Sequence, residues 1–388
     1  SYDLCPLQPE ELSGFFSKRE FRGINVTIPY KKEALRFCDH LTETAREIGS
    51  VNTVIKQRDG TLLGDNTDLA GFRFMLAEAG ISLAGKHVLI LGSGGASLTV
   101  QLAAKREKAA SVTIVSRQGA VNYGNVAARC QNAQVLINTT PLGMFPHTQD
   151  CPLALSPFPA LEAVADLIYN PLRTRLLQQA QVRGLVIADG LSMLAAQAKA
   201  SSDAFTGDSS DSCVVRRVLR QLRQSLTNWV LIGMPGSGKS SIGRFLAENS
   251  GRQFIDLDDL AQERAGIPLP DYFAQHGEAA FRTLESECVA DCGKQTGLVI
   301  ATGGGVVLRE ENVRALRQNG KLLWIQRRLE QLARSGRPLS VNDAALQEMQ
   351  TQRLPLYAAA ADAVLTNHTN RETAQREALD YFNEGGLA

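Results

Sequence analysis

The sequence lacks a charge excess of either sign, a long apolar run and a disulfide framework. Lysine and arginine number 41 against 40 aspartate and glutamate in 388 residues, a formal net charge of +1. That balance is not the electropositive footprint of a general nucleic-acid binder. No apolar stretch approaches the ~18 residues that a membrane span needs. The opening Ser1-Tyr2-Asp3-Leu4-Cys5-Pro6 is neither a basic n-region nor a signal peptide. Seven cysteines, an odd number scattered from Cys5 to Cys292, make no disulfide scaffold in so long a chain. Cys288 and Cys292 are four apart on an expected helix, but no matching His or Cys pair lies nearby, so buried free thiols are expected there rather than a metal site. The five histidines, His40, His87, His147, His276 and His368, show no ligand spacing. Fibrous, membrane and disulfide-scaffold classes are excluded. The expectation is a cytoplasmic protein without nucleic-acid, membrane or obligate protein partners. At roughly 100–200 residues per domain the length suggests two or three domains.

What the sequence does have is two glycine-rich turns, each after a short apolar run. His87-Val88-Leu89-Ile90-Leu91 leads into Gly92-Ser93-Gly94-Gly95-Ala96, and Trp229-Val230-Leu231-Ile232 leads into Gly233-Met234-Pro235-Gly236-Ser237-Gly238-Lys239-Ser240. Each continues with helical spacing and reads as strand, loop, helix. Further strands are expected at Val112–Val115, Val135–Ile137, Leu185–Ala188, Phe254–Ile255, Leu298–Ile300 and Leu322–Ile325. This alternation predicts an α/β protein with parallel sheets covered by helices on both faces. A polar stretch, Thr206 to Ser212, precedes a helical apolar stripe of Val214, Val215, Val218, Leu219, Leu222 and Leu226. The arginines on its other face read as a solvated surface. The boundary between the halves is expected near 226–228.

In the first half, a glycine turn between strand and helix lets backbone N–H groups approach a pyrophosphate. The next strand ends in Ser116-Arg117, with no acid to accept ribose hydroxyls; an arginine there suits a 2′-phosphate, which favours NADP(H). Upstream stand three polar clusters: Asn25-Val26-Thr27-Ile28-Pro29-Tyr30-Lys31, Val51-Asn52-Thr53 and Gly64-Asp65-Asn66-Thr67-Asp68. By composition alone these are equally turn formers or cleft residues.

Those clusters, with Gly92–Ala96, Asn138-Thr139-Thr140-Pro141-Leu142-Gly143-Met144, Asp166-x-x-Tyr169-Asn170-Pro171 and Asp189-Gly190-Leu191-Ser192-Met193-Leu194-x-x-Gln197-Ala198, resemble the shikimate dehydrogenase family. The resemblance covers residues 1 to about 226. It implies NADPH-dependent reduction of 3-dehydroshikimate to shikimate, with Lys31 and Asp68 as the catalytic pair. Thr27, Asn52 and Gln197 would hold substrate hydroxyls and Tyr169 the carboxylate side. Gly92, Gly94, Gly95, Ala96, Ser116 and Arg117 would bind the cofactor. It further implies a substrate domain over 1–68 and 189–226 and a Rossmann domain over 69–188. Ser93 and Ser192 stand where the family usually has other small residues. The family also opens with a strand and a Ser-x-Ser-Pro turn ahead of the first residue here, so the sequence reads as an N-terminally truncated member. Poor reduction by residues 1–388 alone is the corresponding expectation.

In the second half, Gly233-x-x-x-x-Gly238-Lys239-Ser240 after a strand is a full phosphate-loop pattern. Backbone N–H groups of the Gly233, Gly236, Ser237 and Gly238 turn would cradle phosphates, Lys239 would offset β/γ charge, and Ser240 would ligate Mg2+. Asp256-Leu257-Asp258 at the next strand's end is read as two carboxylates on one strand face. Gly277-Glu278-x-x-Phe281-Arg282, Thr302-Gly303-Gly304-Gly305, Gly336-Arg337-Pro338-Leu339 and Arg353-Leu354-Pro355-Leu356-Tyr357 follow. In this order they resemble shikimate kinase over 228–388. That resemblance implies ATP- and Mg2+-dependent phosphorylation of a shikimate hydroxyl. Asp256 would lie near the metal and Asp258 at the acceptor hydroxyl, with Arg282 and Arg353 forking the substrate carboxylate. Gly303, Gly304 and Gly305 would let backbone approach the ring, and Arg337 would reach the phosphates from a lid. Ser340 departs from the family's second leucine after Arg-Pro-Leu, and adenine contacts fall near 367–370. The alternatives are quinate or gluconate as substrates, or a ligand sensor without turnover.

Overall fold

Short apolar strands alternating with helices build both halves, because a strand buried on two faces needs a helical layer on each. The computed structural model describes residues 2–207, 211–332, 343–367 and 370–384. It divides into two compact units, Ser1–Leu219 and Arg220–Ala388.

The first unit begins with a small sheet of β1 (Gly23–Asn25), β2 (His40–Leu41), β3 (Thr53–Lys56) and β4 (Leu62–Asp65), in the order β1-β3-β4-β2. β3 pairs antiparallel with β1 and β4, and β2 runs parallel to β4. The register sets Asn25 opposite Thr53 and Thr53 opposite Asp65. Three polar segments far apart in sequence therefore meet at one end of this sheet.

A second sheet is entirely parallel: β5 (His87–Leu91), β6 (Ser111–Val115), β7 (Val135–Asn138), β8 (Ala163–Asp166) and β9 (Val186–Ala188), in the order β6-β5-β7-β8-β9. Its strands alternate cleanly. Val88, Ile90 and Ile137 pack with Leu69, Phe72 and Val100 on one face, while Leu89, Leu91 and Leu136 pack with Val126, Phe158 and Leu177 on the other. β8 is an addition to the strands read from the sequence. The helices Asp68–Glu78 and Gly190–Thr206 approach so closely that a Cβ at Gly71 would lie 2.6 Å from Gln197 Cγ and 2.7 Å from the Met193 carbonyl oxygen.

In the second unit β10 (Asn228–Ile232), β11 (Gln253–Asp256), β12 (Leu298–Ala301), β13 (Gly320–Gln326) and β14 (Ala363–Thr366) form a parallel sheet in the order β11-β12-β10-β13-β14. Val230, Ile232, Ile300 and Leu322 face Val289, Leu316 and Tyr357; Trp229, Leu231, Val299 and Ile325 face Ile242, Leu246 and Phe382. Central β10 ends at the glycine loop, which opens into the helix Lys239–Ser250. Cys288 and Cys292 are buried free thiols in this core, and burial pushes Cys292 up to about 11. Among the described residues no helix is long and apolar enough to cross a membrane.

The contact at Gly71 yields a test of the first unit's packing. In Gly71→Val the side chain meets a backbone carbonyl that moves only with its helix, a clash that costs roughly 1–3 kcal/mol and exceeds the few tenths gained in helix propensity. The first unit's urea midpoint is expected to fall; an unchanged midpoint would show that the two helices separate freely.

Candidate active sites

In the first unit the polar end of the small sheet becomes a chain of hydrogen bonds. Val26 N–H donates to Asn52 O (2.8 Å) and Val51 N–H to Lys31 O (2.8 Å), which brings the segments carrying Thr27, Lys31 and Asn52 side by side. Lys31 Nζ donates to Asp68 Oδ2 at 2.8 Å, and Asn52 Nδ2 donates to Asp68 Oδ1 at 2.8 Å. Asn52 Oδ1 in turn accepts from Thr67 N–H (2.9 Å) and Thr53 Oγ1 (3.0 Å). Asp68 opens its helix, where the backbone field favours a carboxylate, and its own N–H donates to Asn66 Oδ1 at 3.0 Å. Asp68 is buried while Lys31 keeps partial exposure, so the ammonium is the more solvent-accessible member of the pair. Gln197 packs at Gly71, one turn along the same helix from Asp68. Thr27 and Tyr169 are exposed.

The cofactor residues of the sequence reading gather at the carboxyl end of β5. Gly92 takes φ +101, donates its N–H to Val115 O at 2.8 Å and leaves only 2.8 Å between a would-be Cβ and Thr139 Oγ1, so glycine is required. Ser93, Gly94 and Gly95 are exposed, and nothing lies within 4 Å of a Cβ built at either glycine. Open N–H groups at a helix start fit a pyrophosphate. Ser116 is half-buried and Arg117 exposed just beyond β6. Arg117 stands near the Tyr123 phenol, which burial raises while the guanidinium pulls it down.

Asp166 of the Asp-x-x-Tyr motif is almost wholly buried at the end of β8. It accepts from Asn138 Nδ2 (3.0 Å), Thr174 Oγ1 (2.7 Å) and Ile168 N–H (3.1 Å), and so ties β7 to the turn behind Tyr169. Burial pushes its carboxyl up to about 7 against those three donors, and Asp189 adds to the rise.

The second unit holds a cleft of about 500 Å3 whose lining includes Gly236, Lys239, Ser240, Asp258, Arg282, Gly303–Gly305 and Arg353. Lys239 is buried and its Nζ donates to Gly233 O (2.9 Å) and Met234 O (3.0 Å). Ser240 Oγ donates to Asp256 Oδ2 at 2.6 Å. A hydroxyl and a carboxylate beside a phosphate loop fit Mg2+, which takes few protein ligands and completes its shell with phosphate oxygens and water. Asp256 and Asp258 do not share a strand face, as the sequence reading had it. Asp256 ends β11 and caps the helix Leu257–Ala265, accepting Asp258 N–H at 3.1 Å, so Asp258 reaches the cleft from a helical first turn.

Arg282 and Arg353 are both buried, and Glu285, which the sequence reading missed, is buried close to both. Arg282 Nη1 donates to Glu285 Oε2 at 2.8 Å and Nη2 to Glu278 Oε1 at 3.2 Å, an i,i+3 and i,i+4 arrangement on one helix face. Burial works against the Arg282 charge, but the two glutamates outweigh it and raise the group; Arg353 is lowered by burial, with Arg282 adding to the effect. Arg353 Nε and Glu285 Oε1 are buried with no hydrogen-bond partner among the described residues. The Arg353 Nε–H is a buried donor of the kind that fits an incoming carboxylate. The three glycines serve these side chains first: a Cβ at Gly303 would lie 2.8 Å from both Asp258 Oδ1 and Glu285 Oε1, and one at Gly305 would overlap the Arg282 guanidinium at 2.1 Å. Tyr357 OH donates to Gly304 O and holds the loop. Arg337 and Ser340 lie outside the described residues, as do residues 368 and 369 of the adenine region and 208–210 of the connecting stretch. Asn367 is described, and its Nδ2 donates to Ser237 O at 2.8 Å.

A dinucleotide-binding reductase unit followed by a phosphate-loop transferase unit is the class these two sites define. Residues 1–54 match the family model for the shikimate dehydrogenase substrate binding domain, and residues 235–382 match that for shikimate kinase. A shikimate dehydrogenase (NADP(+)) of Symbiobacterium thermophilum is 36% identical over 220 residues, 51% of this chain and 74% of the relative. The enzyme of the same description from Moorella thermoacetica is 36% identical over 222 residues, 52% and 75% of the two chains. Among solved structures, a chorismate mutase/shikimate 5-dehydrogenase fusion from Clostridium acetobutylicum aligns with TM-score 0.52 and 32% identity over 55% of this chain and 82% of its own. Shikimate 5-dehydrogenase from Thermus thermophilus, solved with NADP(H) and shikimate, aligns with TM-score 0.50 and 34% identity over 55% and 85%. The chain belongs to the shikimate dehydrogenase family, fused to a shikimate kinase domain.

The buried Asp166 carboxyl makes a pH test. The folded chain keeps this proton up to about pH 7, whereas an ordinary aspartate loses it near 3.8. Between those values the folded state binds more protons, so this group's contribution is full below the window and lost as pH rises through it. Wild type is expected to lose stability relative to Asp166→Asn as pH rises from 3.8 to about 7 and to level off above. Chemical unfolding of both proteins across this range reads the difference; a pH-independent gap would show that Asp166 is ionised throughout.

Proposed function

We propose that the first unit reduces 3-dehydroshikimate to shikimate with NADPH and that the second transfers the γ-phosphoryl group of ATP to a shikimate hydroxyl. Residues 1–68 with 189–226 form the substrate domain in this reading, 69–188 the cofactor domain and 228–388 the kinase domain. The observation that carries it is the second unit's cleft, where a phosphate-loop lysine, a carboxylate and two buried arginines line one cavity. In the first unit the 2.8 Å pair of Lys31 and Asp68 supports the companion reaction.

When bound, NADPH supplies a hydride at the carbonyl carbon. The carbonyl oxygen then gathers negative charge, which the Lys31 ammonium offsets and protonates. Asp68 holds that ammonium in place through Oδ2, while Asn52 fixes Oδ1, so the pair is oriented before substrate arrives. Thr27 and Gln197 contact ring hydroxyls, Tyr169 stands on the carboxylate side, and Ser116 with Arg117 takes the 2′-phosphate.

In the second unit Asp258 accepts the hydroxyl proton and orients the oxygen for attack. Arg282 and Arg353 hold the ring carboxylate, with Glu285 fixing the Arg282 fork. Ser240 and Asp256 hold Mg2+, and Lys239 offsets charge on the transferred group.

The two activities are expected to be separable. Lys239→Ala should lower phosphoryl transfer by about 10²–10³, the scale of one preorganised electrostatic group, and leave NADPH oxidation unchanged. Lys31→Ala should do the reverse. Purified protein assayed with 3-dehydroshikimate plus NADPH, and with shikimate plus ATP, reads both. Neither activity in wild type, or equal loss of both in either variant, would contradict the proposal.

A further inference from the structure

β13 runs beside β10, and its carboxyl end lies directly under the phosphate loop. Gly233 has φ +142, and a Cβ there would come within 2.5 Å of Ile325 O, so no side chain separates the loop from the strand. The residue that emerges next to the loop, just past Gln326, is Arg327. No motif in the sequence marks it. Its side chain lines the same cleft as Gly236, Gly238, Lys239 and Ser240. Its Nη1 stands 3.5 Å from Gly236 O, the outer limit of hydrogen bonding, and its Nε is buried with no hydrogen-bond partner among the described residues.

Among the described residues this guanidinium makes no ion pair with a carboxylate. Asp256 accepts from Ser240, Glu285 pairs with Arg282, and Lys239 donates to carbonyls of the loop. A half-buried guanidinium with an unsatisfied donor is stabilised by an anionic acceptor, and its planar fork matches two phosphate oxygens. We propose that Arg327 is a nucleotide-binding residue that contacts the phosphate chain from β13, opposite the loop's own N–H groups. The proposal rests on the kinase reading of the second unit.

The test measures binding rather than turnover, on the full chain. Affinities for MgADP, and for inorganic pyrophosphate in competition with a fluorescent ADP analogue, are compared in wild type, Arg327→Met and Arg327→Lys at several salt concentrations. Arg327→Met is expected to weaken both ligands by about tenfold, the scale of one charge-assisted hydrogen bond, and to flatten the salt dependence. Arg327→Lys, which keeps the charge without the fork, should fall between. Pyrophosphate carries no base, so a role through adenine, or one confined to bracing the loop at Gly236, would not lower the salt dependence of its binding. If Arg327→Met fails to fold, the lysine variant decides alone. Wild-type pyrophosphate affinity and salt dependence in a folded variant would overturn the proposal and leave the kinase reading standing. Absence of MgADP binding by wild type would overturn both.

Discussion

A carboxylate taken out of water must find donors, and in this chain they come from strand ends and the first turns of helices. Asp68 opens a helix after β4 and accepts from Lys31 and Asn52. Asp256 closes β11 and accepts from Ser240 and from the helix it caps. Asp166 closes β8 and accepts three hydrogen bonds, yet burial still raises it. Parallel sheets covered on both faces leave their strand ends as the places where polar groups gather, and the glycine turn after β5 and the second unit's site are built there, while Lys31 and Asp68 meet at the end of the small mixed sheet. Removing a donor from Asp68 or Asp166 leaves a buried acceptor short of a partner, so the sites and the fold share the same supports.

Much of this was legible in residue order. The glycine loops, the Asn-Val-Thr-Ile-Pro-x-Lys string and the arginines at 282 and 353 each carry a pattern that survives without coordinates. What escaped did so for physical reasons. Glu285 sits in Leu284-Glu285-Ser286-Glu287, an ordinary helical run, and becomes distinctive only when the helix turns it inward against Arg282. Arg327 precedes another arginine, and only the passage of β13 beneath the loop separates the two. β8 is rich in small residues, so its strand character comes from its neighbours rather than from its own side chains. The Asp256–Asp258 spacing suggested a strand face because period two was assumed to continue; the helix begins between them and changes the geometry.

The glycines after β12 show how a motif's meaning shifts once its neighbours are visible. Their missing side chains read as room for a substrate ring. The space is claimed first by Asp258, Glu285 and Arg282, whose positions depend on it. The room at these glycines and the seating of the three side chains are therefore one packing problem.

In the proposed function the two units' chemistries join through one compound: the alcohol formed by the first is the acceptor of the second. The measurement that bears on this most directly follows phosphorylated product by mass spectrometry when the full chain is given 3-dehydroshikimate. With NADPH and ATP together, shikimate phosphate should accumulate; with ATP alone, no phosphorylated product should form; with NADPH alone, shikimate should. A phosphorylated ketone with ATP alone, or no phosphate ester with both present, would contradict the account.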